Sequence, residues 1–243
     1  MNIETYRAKQ QKLLEGTQQY RHICPHCLLP SVICYCAQIK IIDPPADFVI
    51  LIHPIEVRRK IATGRMSHLC LKNSHLIMGH DFSKKEKLNE ILSDTQRHCV
   101  ILYPSVNSTN VSKLTQNERS DLMPKNKRLT IIVIDGTWET AKKMMKHSHN
   151  INKLPRICFS PARPSNFRVR KQPHENCLST IEAIHHTIEL LGPSLGFDTT
   201  LGEHDHLLTT FNAMVDMQLE FVKRAHDRAE PSRYKSRVTN PQK

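Results

Sequence analysis

The stretch Ile131-Ile132-Val133-Ile134-Asp135-Gly136-Thr137-Trp138 decides the fold and contains the only tryptophan of the chain. Its four aliphatic residues predict a strand that is buried on both faces, which is typical of a parallel sheet. Residues 139–147 predict a helix that follows directly. The last four residues therefore mark the carboxyl end of a buried strand, where open α/β sheets bind their ligands. The alternative is an ordinary strand-to-helix turn, with Asp135 as a cap and Trp138 in the core.

Further strands and helices alternate on both sides of this stretch. Short aliphatic runs predict strands at residues 48–52, 76–78 and 100–102. Amphipathic patterns predict helices at residues 59–71, 84–93, 179–191 and 204–229. Residues 107–128 are polar and lack a strong period, so they are predicted to be a surface connector. The alternation predicts a three-layer α/β fold with a largely parallel sheet.

The charge balance of the chain is strongly basic. Its 243 residues include 35 Lys and Arg against 23 Asp and Glu, which gives a net charge of +12. A polyanionic partner is expected, because each neutralised phosphate releases counterions. The alternative is a basic protein whose charge serves only solubility. Whether the cations cluster along the sequence distinguishes these two interpretations.

Four of the eight cysteines lie close together as Cys24-x2-Cys27 and Cys34-x-Cys36. Four thiolates in so short a segment suit a tetrahedral Zn²⁺ ion, which would replace the core that the segment is too small to build. Four unrelated buried cysteines and an iron–sulfur cluster are the alternatives. His22 or His26 could also substitute for one thiolate.

The sequence divides into four parts. Residues 1–20 are predicted to form an N-terminal helix or tail, residues 21–40 a zinc-binding segment, residues 41–230 the α/β domain, and residues 231–243 a basic disordered tail. No apolar run reaches 18 residues, and the first 20 residues are too polar for a signal peptide. Cysteines without secretory features favour a reducing compartment, so the cytoplasm is the expected location.

Besides the cysteine cluster and residues 135–138, the chain contains four short motifs: Thr63-Gly64-Arg65 after the first predicted strand, Tyr103-Pro104-Ser105 after a later one, and then Phe167-Arg168-Val169-Arg170 and Ser179-Thr180-Ile181-Glu182. In order and spacing, these motifs resemble the DTW-domain family of tRNA-uridine aminocarboxypropyltransferases. The resemblance covers residues 24 to about 191. It implies a SPOUT-like fold with a deep topological knot at an S-adenosylmethionine site, although knots are rare. Ala62 is a departure, since many family members carry Asn there.

The resemblance implies transfer of the 3-amino-3-carboxypropyl group of S-adenosylmethionine to N3 of a tRNA uridine, with release of 5′-methylthioadenosine. A carboxylate near N3 would help to remove its proton. Asp135 is the first candidate, although it could bind the cofactor's amino group instead. Glu182 is the second, although a capping box with Ser179 would also explain it. Trp138 is expected in the site as pocket wall, helix anchor or stacking partner.

The cofactor is expected to contact the loops at three strand and helix ends. The start of the predicted helix at Ser179 offers free backbone N–H groups for the cofactor's carboxylate. The residues expected to bind the cofactor are Tyr103, Pro104, Ser105, Asp135, Gly136, Thr137, Leu178, Ser179 and Thr180.

A basic segment follows the predicted helix at residues 139–147. Residues 156–171 contain five cations and no acidic residue, with Phe159 and Phe167 interleaved. Such a pattern is typical of loops that bind RNA, although two core phenylalanines in a basic loop would look the same. The residues predicted to bind RNA are Arg65, Arg156, Arg163, Arg168, Arg170 and Lys171.

Two other functions are compatible with these features. A SPOUT-type RNA methyltransferase would use the same cofactor and the same class of substrate, and only its products would differ. A zinc-containing RNA-binding protein without catalysis would explain the charge and the cysteines, but it would leave residues 135–138 and the helix start at Ser179 without a role.

Overall fold

The computed structural model describes residues 22–57, 59, 61–124, 126–169 and 177–227. The predicted N-terminal helix at residues 1–20 and the predicted tail at residues 231–243 lie outside the described residues. No helix in the described ranges is long and apolar enough to cross a membrane.

The described strands form one six-stranded sheet in which every pairing is parallel. The spatial order is β2-β1-β5-β3-β6-β4. The strands are β1 Asp47–Ile52, β2 Ser74–Met78, β3 Arg97–Leu102, β4 Thr109–Asn110, β5 Arg128–Asp135 and β6 Arg156–Cys158. The predicted parallel sheet is therefore confirmed, with the aliphatic run of residues 131–134 in a central strand.

Eight α-helices connect or cover these strands in the described residues. They are α1 Pro54–Val57, α2 Thr63–Cys70, α3 Glu86–Ser93, α4 Gln116–Asp121, α5 Trp138–His147, α6 His149–Asn152, α7 Thr180–Leu191 and α8 His206–Asp227. Short 3₁₀ helices lie at Ser31–Ile33, Cys36–Gln38, Val111–Lys113, Pro193–Leu195, Thr199–Leu201 and Glu203–Asp205.

The sheet separates two hydrophobic cores, which confirms the three layers. Alternate residues of β1 point to opposite faces, so Phe48 and Ile50 pack with α2, α7 and α8, whereas Val49 and Leu51 pack with α3, α5 and α6. All six residues of β1 are buried. Fully burying one such aliphatic or aromatic side chain stabilises the fold by about 1.5–3 kcal/mol.

The prediction was wrong mainly for short elements. Helix α2 begins at Thr63 rather than at residue 59, and the predicted connector at residues 107–128 contains β4 and α4. Strand β4 has two residues and helix α4 has six, so both are too short for a hydrophobic period to develop. Helix α4 nevertheless begins with a capping box between Thr115 and Glu118. The SPOUT-like topology and the knot stay predictions.

The cysteine segment packs onto the same core as α8. Cys27, Leu29 and Ile33 belong to that core, and the Thr210 hydroxyl of α8 donates to the Gln38 carbonyl at 3.0 Å. Arg65 of α2 is only 6% exposed and donates to the Cys27 carbonyl at 3.3 Å. The segment is therefore fixed to the α/β domain through backbone carbonyls as well as apolar contacts.

An ion network joins three strands at the amino edge of the sheet. The Asp47 side chain of β1 is 8% exposed and accepts from Arg97 of β3 and, at 2.5 Å, from Arg128 of β5. Arg97 also donates to the Thr130 hydroxyl at 3.1 Å. Since two guanidinium groups depend on one buried carboxylate, its loss would leave both without their anion.

We expect Asp47→Asn to lower the free energy of unfolding by about 1–3 kcal/mol, less than for a fully buried pair because both arginines reach solvent. Urea denaturation measures this change. The matched control is Asp43→Asn, which removes an exposed carboxylate bound to Lys72 and should cost less than about 1 kcal/mol. Equal losses in the two variants would contradict a stabilising role for the network.

Candidate active site

A pocket of about 840 Å³ opens at the carboxyl ends of β3, β5 and β6. The first turns of α5 and α7 close it from the two faces of the sheet. Its walls are mostly apolar, with contributions from Leu102, Val133, Ile134, Ala141 and Ala183. A concave apolar site of this volume, with a few polar groups at its rim, has the dimensions of a small-molecule site.

Five of the nine residues predicted to bind the cofactor line this pocket: Tyr103, Pro104, Gly136, Leu178 and Thr180. The other four, Ser105, Asp135, Thr137 and Ser179, are their sequence neighbours and fix the surrounding backbone. The Ser108 hydroxyl lies 2.8 Å from that of Ser105 and donates to the Tyr103 carbonyl at 2.7 Å. The Thr137 hydroxyl accepts the Thr140 N–H at 3.2 Å and caps α5.

Asp135 is the last residue of β5 and lies beside the first turns of α2 and α7. Its side chain is buried, and Oδ1 accepts the Thr180 hydroxyl at 2.6 Å, which ties β5 to the start of α7. Its carbonyl accepts the His53 N–H at 3.0 Å. A Cβ added to Gly64 in the first turn of α2 would approach Asp135 Oδ2 to 2.5 Å. The absent side chain at Gly64 is therefore what allows the carboxylate to sit against α2.

Trp138 forms part of the pocket wall. Its side chain is 50% exposed, so it does not anchor α5 in the core as the alternative interpretation required. The indole N–H donates to the Cys177 thiol at 3.1 Å. Cys158 and Cys177, two cysteines outside the N-terminal cluster, both line the pocket.

Glu182 fixes the loop that precedes α7. It forms the capping box with Ser179, whose backbone N–H it accepts at 2.8 Å. It also accepts the Ser165 hydroxyl and the Asn166 N–H, each at 2.7 Å. The carboxylate is buried, and these contacts hold the basic segment against the helix start. The geometry therefore supports the structural interpretation of Glu182 more directly than the catalytic one.

A histidine pair at the same edge was missed in the sequence. His53 directly follows β1, and its Nε2 lies 3.1 Å from Nδ1 of His80, which follows β2. Burial and the neighbouring His80 lower the pKa of His53, so its imidazole is neutral at pH 7. The sequence could have identified His53, because it directly follows a predicted buried strand. The same criterion identified Asp135.

The four clustered cysteines form a candidate metal centre. Their sulfurs all lie within 4.8 Å of one another, with 3.7 Å between Cys24 and Cys36 and 3.6 Å between Cys27 and Cys34. Four sulfurs at about 2.3 Å from a central zinc would lie about 3.8 Å apart, so the donor set fits. Backbone N–H groups of Cys27 and His26 lower the pKa of the Cys24 thiol to about 6, which favours the thiolate. His22 instead contacts the Ser31 hydroxyl at 2.8 Å.

The residues predicted to bind RNA have different environments. Arg65 is in the interior, where it contacts backbone carbonyls rather than solvent. Arg156 lies 6.0 Å from the centre of the Tyr103 ring and donates to Asn152, and Arg168 pairs with Asp216 at 2.5 Å. Arg163 is exposed. Arg170 and Lys171 lie outside the described residues.

The two interleaved phenylalanines also differ. Phe167 is buried and packs edge-on against Phe211 of α8, as the alternative interpretation of the basic loop proposed. Phe159 lines the pocket and contacts the His186 ring edge-on. Phe167 is therefore a core residue, whereas Phe159 belongs to the candidate site.

The contact between Gly64 and Asp135 predicts a specific coupling. We expect Gly64→Ala to lower the free energy of unfolding by about 1–3 kcal/mol, because the new methyl group must displace the Asp135 carboxylate. In an Asp135→Ala background the same change should cost at least about 1 kcal/mol less. Urea denaturation of the four proteins measures the coupling, and a purely additive cycle would show that the two residues do not touch.

Comparison with known proteins places these features in one family. The tRNA-uridine aminocarboxypropyltransferase 2 of Drosophila melanogaster is 28% identical over 224 residues, which cover 87% of this chain and 84% of the fly protein. The protein of the same name from Mus musculus is 25% identical over 205 residues, which cover 82% of this chain and 66% of the mouse protein. The tRNA-uridine aminocarboxypropyltransferase A of Arabidopsis thaliana is 25% identical over 247 residues, 91% of this chain and 89% of the plant protein.

No solved structure matches the chain significantly. The model of the DTW domain, in contrast, matches residues 21–219, which include the cysteine cluster, the pocket and most of α8. The chain belongs to the DTW domain family.

Proposed function

We propose that the protein transfers the 3-amino-3-carboxypropyl group of S-adenosylmethionine to N3 of a tRNA uridine. One observation carries this proposal: Asp135, in the tetrapeptide after β5, is held beside a pocket of small-molecule size by Thr180. The family assignment and relatives named as tRNA-uridine aminocarboxypropyltransferases support the choice of reaction.

The pocket fits the proposed donor in size and polarity. Leu102, Val133 and Leu178 offer apolar surface for an adenine ring. The first turn of α7, where Thr180 reaches the pocket, presents backbone N–H groups that suit a carboxylate. When bound, S-adenosylmethionine would supply a sulfonium-activated methylene carbon as the electrophile. The chain itself has to orient that carbon, rather than the methyl group, toward the nucleophile.

Asp135 is proposed to act on the proton or on the orientation of the donor. Uridine N3 is a weak acid, so a carboxylate that reaches it can remove its proton as the new bond forms. Thr180 donates to Oδ1 and so fixes the carboxylate's position. The same carboxylate could bind the ammonium group of the donor's amino-acid arm. In both roles its negative charge is required, and Trp138 closes the wall beside it.

The proposed polymer substrate is tRNA, and the proposed location is the cytoplasm. The net charge of +12 suits a polyanion, and the relatives named above are tRNA-modifying enzymes. The test is to analyse the tRNA nucleosides of a strain that lacks the gene. Loss of an aminocarboxypropyl uridine in that strain, and its return when the gene is restored, would support the proposal. Unchanged tRNA nucleosides in that strain would contradict it.

Zinc in the cysteine cluster is proposed to be structural. Four sulfur ligands leave no open coordination position, and the cluster is joined to α2 through Arg65 rather than to the pocket. The ion would hold together a segment that is too small to build a core of its own.

We expect one zinc ion per chain, and we expect Cys27→Ser to lose it. The variant should unfold at a lower urea concentration, because Cys27 and its neighbours pack on the core of α8. Elemental analysis and denaturation measure the two effects. The control is Cys99→Ser, which changes a partly buried thiol outside the cluster and should leave the metal content unchanged. A wild-type protein without stoichiometric metal would refute the assignment.

We expect Asp135→Asn to preserve the fold and tRNA affinity while it lowers the rate of transfer by about two to four orders of magnitude. Single-turnover transfer to unmodified tRNA measures the rate. A mutant rate that rises with pH indicates the base role, since N3 then loses its proton to solvent. A rate loss that is independent of pH, with weaker S-adenosylmethionine binding, indicates the donor-binding role.

The control for this experiment is Asp43→Asn. It removes an exposed carboxylate that is distant in sequence from the residues of the pocket. It should transfer at the wild-type rate. Near wild-type transfer by Asp135→Asn would reject both roles and would leave Asp135 as a residue that joins β5 to α7.

A further inference from the structure

The sequence contains an unusually long stretch without acidic residues. Between Glu139 and Glu175 there is no Asp or Glu. The same stretch contains the cations Lys142, Lys143, Lys146, Lys153, Arg156, Arg163, Arg168, Arg170 and Lys171. It begins in α5 and therefore includes a helix whose lysines the RNA-binding prediction, with Arg65 and the cations of residues 156–171, did not name.

Helix α5 connects the pocket to a cationic surface. Trp138 and Ala141 line the pocket, while Lys142 and Lys146 are exposed. These two lysines are four residues apart, so they lie on one face of the helix about 6 Å from each other. Lys143 is also exposed, but it pairs with Glu139 at 2.8 Å.

The turn between β2 and α3 places further lysines near the end of α5. The Ser83 hydroxyl donates to the His147 carbonyl at 3.2 Å and accepts the His149 N–H at 3.1 Å. These bonds fix the turn against the end of α5, so that exposed Lys84 and Lys85 lie nearby. Lys85 also extends along the carboxyl edge, where its Cε would lie 3.2 Å from a Cβ added to Gly79.

The acidic residues near this turn do not remove its positive charge. Asp81 accepts the Ser83 N–H at 2.8 Å and shapes the turn, and Glu86 begins α3. The lysines Lys84, Lys85, Lys142 and Lys146 have no ion-pair partner among the described residues. We call the exposed pair Lys142 and Lys146 the α5 cationic face, and Lys84 and Lys85 lie in the turn that is bound to the end of the same helix.

Two cations of the segment from residue 156 onward differ from these lysines, because they already have partners. Arg156 donates to Asn152, and Arg168 pairs with Asp216. A phosphate would have to compete with these partners, whereas the α5 cationic face offers lysines that only water solvates. Its place beside the pocket-lining helix also suits a polymer whose reacting base enters the pocket.

We propose that the α5 cationic face binds the phosphodiester backbone of the RNA substrate. That the RNA is a tRNA rests on the proposed function, whereas the binding surface itself does not. Lysine side chains act as point charges on phosphates, so the contacts fix the position of the RNA without reading its sequence. Each neutralised phosphate releases condensed counterions, which makes the binding constant fall steeply with salt.

The test compares two double variants with the same loss of charge. Lys142→Gln with Lys146→Gln removes both lysines of the α5 cationic face. Lys40→Gln with Lys127→Gln is the control, since these exposed lysines precede β1 and β5 on the side of the amino ends of the strands and have no ion-pair partner among the described residues. Binding of unmodified tRNA is measured by filter retention over a series of salt concentrations, without S-adenosylmethionine.

For the α5 variant, we expect the slope of log affinity against log salt to become shallower by about 1–2, and for the control we expect the wild-type slope. A wild-type slope for the α5 variant, with an unchanged urea midpoint, would overturn the proposal. An equal change in both variants would also overturn it, because the effect would then reflect total charge. Since the assay requires no transfer, a failure of the proposed reaction would not alter its outcome.

Discussion

The hydrogen bond from the Thr180 hydroxyl to Asp135 Oδ1 is the interaction on which the candidate site depends. It joins the end of a central strand to the start of α7, and it orients a buried carboxylate beside the pocket. The arrangement also requires Gly64, since any side chain at that position would occupy the space of the carboxylate. Three segments that are distant in sequence thus converge on one group. The parallel register of β1 with β5 pairs Ile52 with Asp135, and so brings the chain that leads to Gly64 to the end of β5.

The central strand and β1 could be predicted from the sequence because nearly all of their residues are buried. An aliphatic run such as residues 131–134, directly before a turn, is typical of a strand in the middle of a parallel sheet. The capping box at Ser179 and Glu182 was equally readable, because both partners lie within one helical turn. In the same way, the paired spacing of the cysteines indicated a cluster, and the structure brings all four sulfurs together.

Features that depend on tertiary contacts could not be predicted in this way. Arg65 looks like a candidate RNA contact in the sequence, but its guanidinium is used to bind the Cys27 carbonyl, 38 residues away. Phe167 and Arg168 are adjacent, yet one is in the core and the other pairs with Asp216 of α8. Whether a cation is paired, as Arg168 is, or exposed without an ion-pair partner, as Lys142 is, likewise depends on the three-dimensional arrangement.

The products of the reaction reveal which carbon of the donor the protein transfers. The purified protein is incubated with S-adenosylmethionine and unmodified tRNA, and both products are analysed by mass spectrometry. We expect 5′-methylthioadenosine together with an aminocarboxypropyl uridine in the tRNA. S-adenosylhomocysteine together with a methylated nucleoside would contradict this expectation, and would show that the pocket presents the methyl group instead.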